Sequence, residues 1–130
     1  PYQFVSALNC VLAQRLVRVI CAHCKRPQKI TRVMLEESGL DPALERTQVF
    51  YEGAGCIECG GTGYKGRTAI CELLDLSDPI REMILERRPT SEIKKCAREE
   101  GMRFLRECAV ERATSGITSL REINKVTFVE

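Results

Sequence analysis

The sequence predicts an α+β fold, mainly helical. A small tetracysteine knuckle subdomain with a short antiparallel hairpin is followed by an α-helical bundle. Three observations predict it. Two C-x-x-C pairs, Cys21–Cys24 and Cys56–Cys59, are separated by 31 residues, the arrangement of a cross-linked knuckle. Flanking the second pair, "TQVFYEG" and "RTAICELLDL" have the composition of strands. From Asp78 onward, helical periods follow one another between proline and glycine stops.

Residues 4–20 place Val5, Leu8, Leu12, Leu16 and Val19 at the spacing of one helix face, so a helix is expected over 1–20. Arg15 and Arg18, three apart, would project from one side of it. The proline of "CAHCKRP" stops any continuation. Thr31 is a candidate N-cap and Gly39 a C-terminal stop for a second helix, and Asp41-Pro42 opens a turn or short helix. The two strands then bracket the cysteines and would pair with each other if the sulfurs converge. The tetracysteine subdomain is accordingly expected over 21–76, with a helical C-terminal subdomain over 77–130. There, Asp78-Pro79, Thr90-Ser91 and Ser119 start helices, and Pro89 and Gly101 end them. Phe104, Leu105, Cys108 and Ala109 share a face, and Ser119-Leu120-Arg121-Glu122 matches a capping box.

A chain of 130 residues with 44% hydrophobic and 29% charged side chains is an ordinary globular composition. No apolar run approaches the roughly 20 residues that span a bilayer. At 5% aromatic with no Trp, the chain is poorly supplied for stacking on single-stranded nucleic acid. It begins at Pro1 and has no signal peptide, and is expected to be a piece of a longer protein. The net charge of +2 conceals an asymmetry. Arg15, Arg18, Lys25, Arg26, Lys29 and Arg32 all precede the first acidic residue, Glu36. Such a basic segment is either a solvated face or a surface for something anionic.

Eight cysteines in a chain with no secretory signal favour a reduced protein with one metal site and four buried thiols. Cys10, Cys71, Cys96 and Cys108 are scattered through apolar patterns and read as packing residues. Cys21, Cys24, Cys56 and Cys59 can supply four thiolates to a tetrahedral Zn²⁺; a site closed in this way is structural, because a catalytic zinc keeps a position for water. His23, the single histidine, lies between two ligands and is expected to face solvent. The glycines after Cys59 suit a knuckle that turns N–H groups toward sulfur. They build no phosphate loop, since no G-x-x-x-x-G-K-[ST] occurs. "CIECGGTG" does satisfy the C-x-x-C-x-G-x-G pattern of the J-protein cysteine-rich region, although "CAHCKRPQ" is not a second copy. A zinc-dependent chaperone-like module and a nucleic-acid-binding zinc ribbon are therefore the alternatives.

Four stretches together resemble one family. "FVSALNCV" (4–11), "LAQRLVRVICAHCK" (12–25), "GCIECGGTGYKGRTAICELL" (55–74) and "MRFLRECAVERATSGITSLREINKVT" (102–127) are similar to the C-terminal region of the type II secretion and type IV pilus assembly ATPases. The resemblance implies a hexameric motor whose ATP- and Mg²⁺-binding core precedes Pro1, so that this piece holds no catalytic residue and is inactive alone. Residues 1–20 would be the end of that core. It further implies that zinc holds a protruding lever acting on inner-membrane platform proteins, at the cytoplasmic side of the bacterial inner membrane. Arg67 would lie near a neighbouring subunit's nucleotide or the interface around it, where an arginine stabilises phosphate charge in trans. Arg15 and Arg18 are further candidates for that role. No nucleic-acid partner is expected. The secretion and pilus branches stay unseparated.

Overall fold

The computed structural model describes residues 10–127, of which 38% are helical and 26% are strand. The α+β class is as expected, but helix does not dominate. The order is β1 (Cys10–Ile20), β2 (Lys25–Gln28), α1 (Arg32–Glu37), α2 (Leu44–Thr47), β3 (Phe50–Gly53), β4 (Tyr64–Asp75), α3 (Asp78–Leu85), α4 (Thr90–Glu99), α5 (Leu105–Thr114) and α6 (Leu120–Val126).

The largest departure is β1. Residues 10–20 form a strand where apolar spacing predicted a helix; residues 1–9 of that expectation lie outside the described residues. Two of the expected helix-face residues, Leu12 and Leu16, are exposed, whereas Val17 and Ile20 are buried. β-branched Val11, Val17, Val19 and Ile20 suit a pleated surface, and the partner strand β4 supplies the tertiary context that decides between the two periods. Strand pairing also differs from expectation. β4 pairs with β1, and β3 pairs antiparallel with β2, in the register Lys25↔Gly53, Arg26↔Glu52, Pro27↔Tyr51 and Gln28↔Phe50. β2 was missed because Pro27 reads as a breaker. The proline is tolerated here because its ladder has only two strands, so β2 has an outer edge that needs no donor.

The helix signals hold more closely. Thr31 caps α1, its Oγ1 accepting from the Met34 N–H at 3.2 Å, and Gly39 ends it. The cap of α3 is Ser77 rather than Asp78, which becomes the first helical residue ahead of Pro79. Ser119 caps α6 by accepting from the Glu122 N–H at 3.1 Å.

The chain divides into two compact units, neither contiguous: Pro1–Gln14 with Cys71–Phe104, and Arg15–Ile70 with Leu105–Glu130. The first has a core of Leu76, Ile80 and Ala97, with Leu74, Ile84, Ile93, Cys96, Met102 and Phe104 packed against it. The second buries Val17, Leu35, Phe50, Ile70, Ala109, Ala113, Leu120 and Ile123. The helices after Asp78 therefore fall into two pairs. α3 packs with α4 in the first unit, and α5 with α6 in the second. Of the scattered cysteines, Cys96 and Cys108 pack against these cores, but Cys10 and Cys71 are exposed.

Candidate metal centre

The second unit brings all four knuckle cysteines together. Cys21 follows directly on β1, Cys24 precedes β2, and Cys56 and Cys59 lie in the turn between β3 and β4. The four Sγ atoms lie within 4.8 Å of one another. The Cys21–Cys56, Cys24–Cys59 and Cys56–Cys59 sulfurs are separated by 3.8, 3.9 and 3.8 Å. A tetrahedron of thiolates with Zn–S bonds of about 2.3 Å has edges of about 3.8 Å, so the residues fit a Cys₄ zinc ion in both donor type and spacing.

Backbone contacts set this spacing. The Cys21 N–H donates to the Gly63 carbonyl at 2.9 Å and the Ala54 N–H to the Cys24 carbonyl at 3.0 Å, tying each knuckle to the other. N–H groups also point at sulfur: Gly55 donates to Cys24 Sγ at 3.3 Å, while Cys56 and Gly63 donate to Cys59 Sγ at 3.3 and 3.2 Å. Of these donors only Gly63 is one of the glycines that follow Cys59. Burial pushes the Cys24 thiol up to about 11, helped by the thiols around it. At Cys59 burial works in the same direction but is outweighed. The N–H donors of Cys56 and Gly63, with the thiols of Cys56 and Cys24, bring it down to about 6. Such N–H bonds stabilise thiolate, the form that ligates metal. Cys21 is fully buried, whereas His23 is exposed.

A second constellation stands beside the knuckles and joins segments far apart in sequence. Glu122, only 4% exposed, takes the Arg18 backbone N–H at 2.7 Å on Oε2 and the guanidinium at 3.2 and 3.1 Å on Oε1. The same guanidinium lies 4.1 Å from the centroid of the Tyr64 ring, whose hydroxyl bonds Ser119 Oγ. Thr118 Oγ1 donates to the Arg18 carbonyl at 2.6 Å, and the Ile20 N–H to the Ile117 carbonyl at 2.9 Å. "QRLVR", "GYKGR" and "GITSLRE" thus close on one another. The capping box is completed on one side only, because the Glu122 carboxylate bonds Arg18 and not its own N-cap. Burial opposes the charge on Glu122, yet the Arg18 bonds hold its carboxyl below the usual range.

A Type II/IV secretion system protein family model matches residues 1–125, almost the whole chain. The chain belongs to that family. It is 46% identical over 123 residues to the type IV pilus assembly ATPase PilB of Thermus thermophilus, covering 95% of this chain and 14% of that protein. The PilB of Pseudomonas aeruginosa is 36% identical over 126 residues, 97% of this chain and 22% of its own length. The type II secretion system protein E of the same organism is 35% identical over 130 residues, 100% of this chain and 25% of its own. The chain thus spans between about a seventh and a quarter of these relatives, and both branches of the family are represented.

The three arginines singled out in the sequence are not brought together into one site. Arg18 is bound internally by Glu122 and Tyr64. Arg15 lies exposed on β1, and Arg67 lies exposed near the start of β4 with no ion pair among the described residues. Sequence reasoning gives Glu122 only as a capping-box residue and misses its bond to Arg18. Its place three residues after Ser119 is fully explained by capping, so nothing pointed to a partner 104 positions away.

Proposed function

We propose that this chain is the zinc-binding C-terminal region of a hexameric ATPase that powers type II secretion or type IV pilus assembly. The observation that carries the reading is the convergence of Cys21, Cys24, Cys56 and Cys59, in a member of this family, at the spacing of a closed thiolate tetrahedron. Zinc there is structural. It cross-links β1, β2 and the β3–β4 turn into one rigid piece, and the absence of an open coordination position leaves it no catalytic part.

In the whole motor, ATP and Mg²⁺ are handled by the preceding core, and this rigid piece is the lever through which hydrolysis there moves inner-membrane platform proteins. The motor works at the cytoplasmic face of the inner membrane. Arg67, exposed and without an internal partner among the described residues, is the better placed of the arginines to meet a neighbouring subunit or its nucleotide. Arg15 is second, and Arg18 is occupied. The J-protein-like octet is one part of a match that extends over residues 1–125, which favours the motor reading over a chaperone module or a zinc ribbon.

Metal analysis tests the structural part: one zinc per chain is expected, with loss of native structure in the second unit on treatment with a strong chelator. Substoichiometric zinc, or a fold indifferent to chelation, would overturn it. For the lever, Cys56→Ser in the full-length motor should leave basal ATP hydrolysis measurable while abolishing pilus extension or secretion. Retained output without bound zinc would defeat the proposal.

A further inference from the structure

Three elements of the second unit enclose a pocket of about 340 Å³ that contains neither a knuckle cysteine nor the Arg18–Glu122 pair. Gln28 lines it from the end of β2, Met34 and Glu37 from α1, and Leu120, Arg121 and Asn124 from α6. Its polar groups are mostly acceptors that lack a donor. Gln28 Oε1 is buried and has no hydrogen-bond partner among the described residues. Asn124 Nδ2 donates to Ser38 Oγ at 2.8 Å, and Ser38 Oγ donates in turn to the Met34 carbonyl at 2.8 Å, which leaves Asn124 Oδ1 unused. The exposed Glu37 carboxylate makes no ion pair among the described residues.

A buried acceptor without a donor costs free energy, and in folded proteins such groups are nearly always satisfied. Gln28 therefore marks a place where a donor belongs. Its terminal amide torsion is soft, so a small turn presents Oε1 to a group in the pocket.

The lining selects the occupant. Acceptors from three elements, one of them anionic, stand beside the apolar Met34 and Leu120. A guanidinium matches this set, with its fork of N–H donors at the end of an apolar stem. Arg121, exposed and likewise without an ion pair among the described residues, repels a bare cation but can donate to a carbonyl beside one. An arginine within a polypeptide carries both groups, whereas a free polyamine carries only the cation.

We infer that this pocket docks an arginine side chain of a partner polypeptide. The guanidinium meets Glu37, Gln28 and Asn124, and a backbone carbonyl next to it meets Arg121. The inference is independent of the zinc and lever readings, because none of these residues ligates the metal.

Titration of the zinc-loaded chain with an acetylated and amidated alanine–arginine–alanine peptide, followed by NMR, tests it. Saturable shifts of the Gln28 and Asn124 side-chain amide signals are expected. The same peptide with citrulline keeps the shape but loses the charge, so it should bind about tenfold more weakly, and so should spermidine. Glu37→Gln should weaken the arginine peptide by about the same factor with the thermal midpoint unchanged, since no ion pair is lost in the free protein. Absence of saturable shifts at Gln28 and Asn124 overturns the inference and leaves water as the partner of Gln28. Equal affinity for the citrulline peptide overturns it too, as does equal affinity for spermidine, which would make the occupant a small cation.

Discussion

Gly53 and Gly63 meet back to back. A Cβ on Gly53 would stand 2.0 Å from the Gly63 carbonyl oxygen, and one on Gly63 would stand 2.5 Å from that of Gly53. Gly63 also accepts from the Cys21 N–H and donates to Cys59 Sγ. The crossing of two bare backbones therefore fixes where a ligand from each knuckle can sit.

It follows that Gly53→Ala is the more damaging change even though Gly53, unlike Gly60, lies outside the left-handed region. Gly60 has φ 65° but nothing within 4 Å of a new Cβ, so Gly60→Ala costs only backbone strain, about 1 kcal/mol. Gly53→Ala must push two backbones apart, a cost of about 3 kcal/mol. Urea midpoints of the zinc-loaded proteins will rank them. A larger loss for Gly60→Ala would show that the contact does not set the geometry.

Zinc binding itself should depend on pH. The four thiols must give up their protons to ligate the metal, so affinity should fall as pH falls. A competition titration against a chromogenic chelator at several pH values reads this directly, and an affinity that did not change with pH would refute thiolate ligation.

What could be read in the sequence was whatever is decided within a few residues. The C-x-x-C spacing located all four sulfurs, and Thr31, Gly39 and Ser119 marked helix ends where the structure has them. What could not be read was decided by partners far along the chain. Leu12 and Leu16 fit a helix face in isolation, and only β4, more than 40 residues away, makes the segment a strand. Pro27 reads as a break until β3 supplies a two-stranded ladder for it to edge. Glu122 looks like a capping residue until Arg18 takes its carboxylate.

The Tyr64–Ser119 bond predicts a modest effect. Tyr64→Phe keeps the ring beneath the Arg18 guanidinium and removes only the hydroxyl, so it should cost about 1 kcal/mol. Tyr64→Leu removes the ring stack as well and should cost more. If the two variants prove equally stable in denaturant unfolding, the guanidinium–ring contact contributes nothing.

The Arg18–Glu122 pair makes a prediction whose sign depends on pH. Glu122 is buried, and the guanidinium and backbone N–H of Arg18 hold its native carboxyl below the value of an unfolded glutamate, about 4.3. A depressed carboxylate stabilises the fold above its unfolded value, and that contribution is lost as pH falls through the native one. Glu122→Gln should thus be destabilised near neutral pH and approach the parent protein below about pH 4. Breaking a fully buried pair costs about 3–5 kcal/mol, but Arg18 is 39% exposed and solvent screens it, so about 2 kcal/mol is expected. Arg18→Lys retains the charge and the backbone N–H but loses the paired guanidinium bonds and the stack on Tyr64, so it should recover only part of that loss. Thermal unfolding of the three proteins across this pH range measures both effects. A difference that stayed constant down to pH 3 would mean that the carboxylate charge is not what holds strand β1 to helix α6.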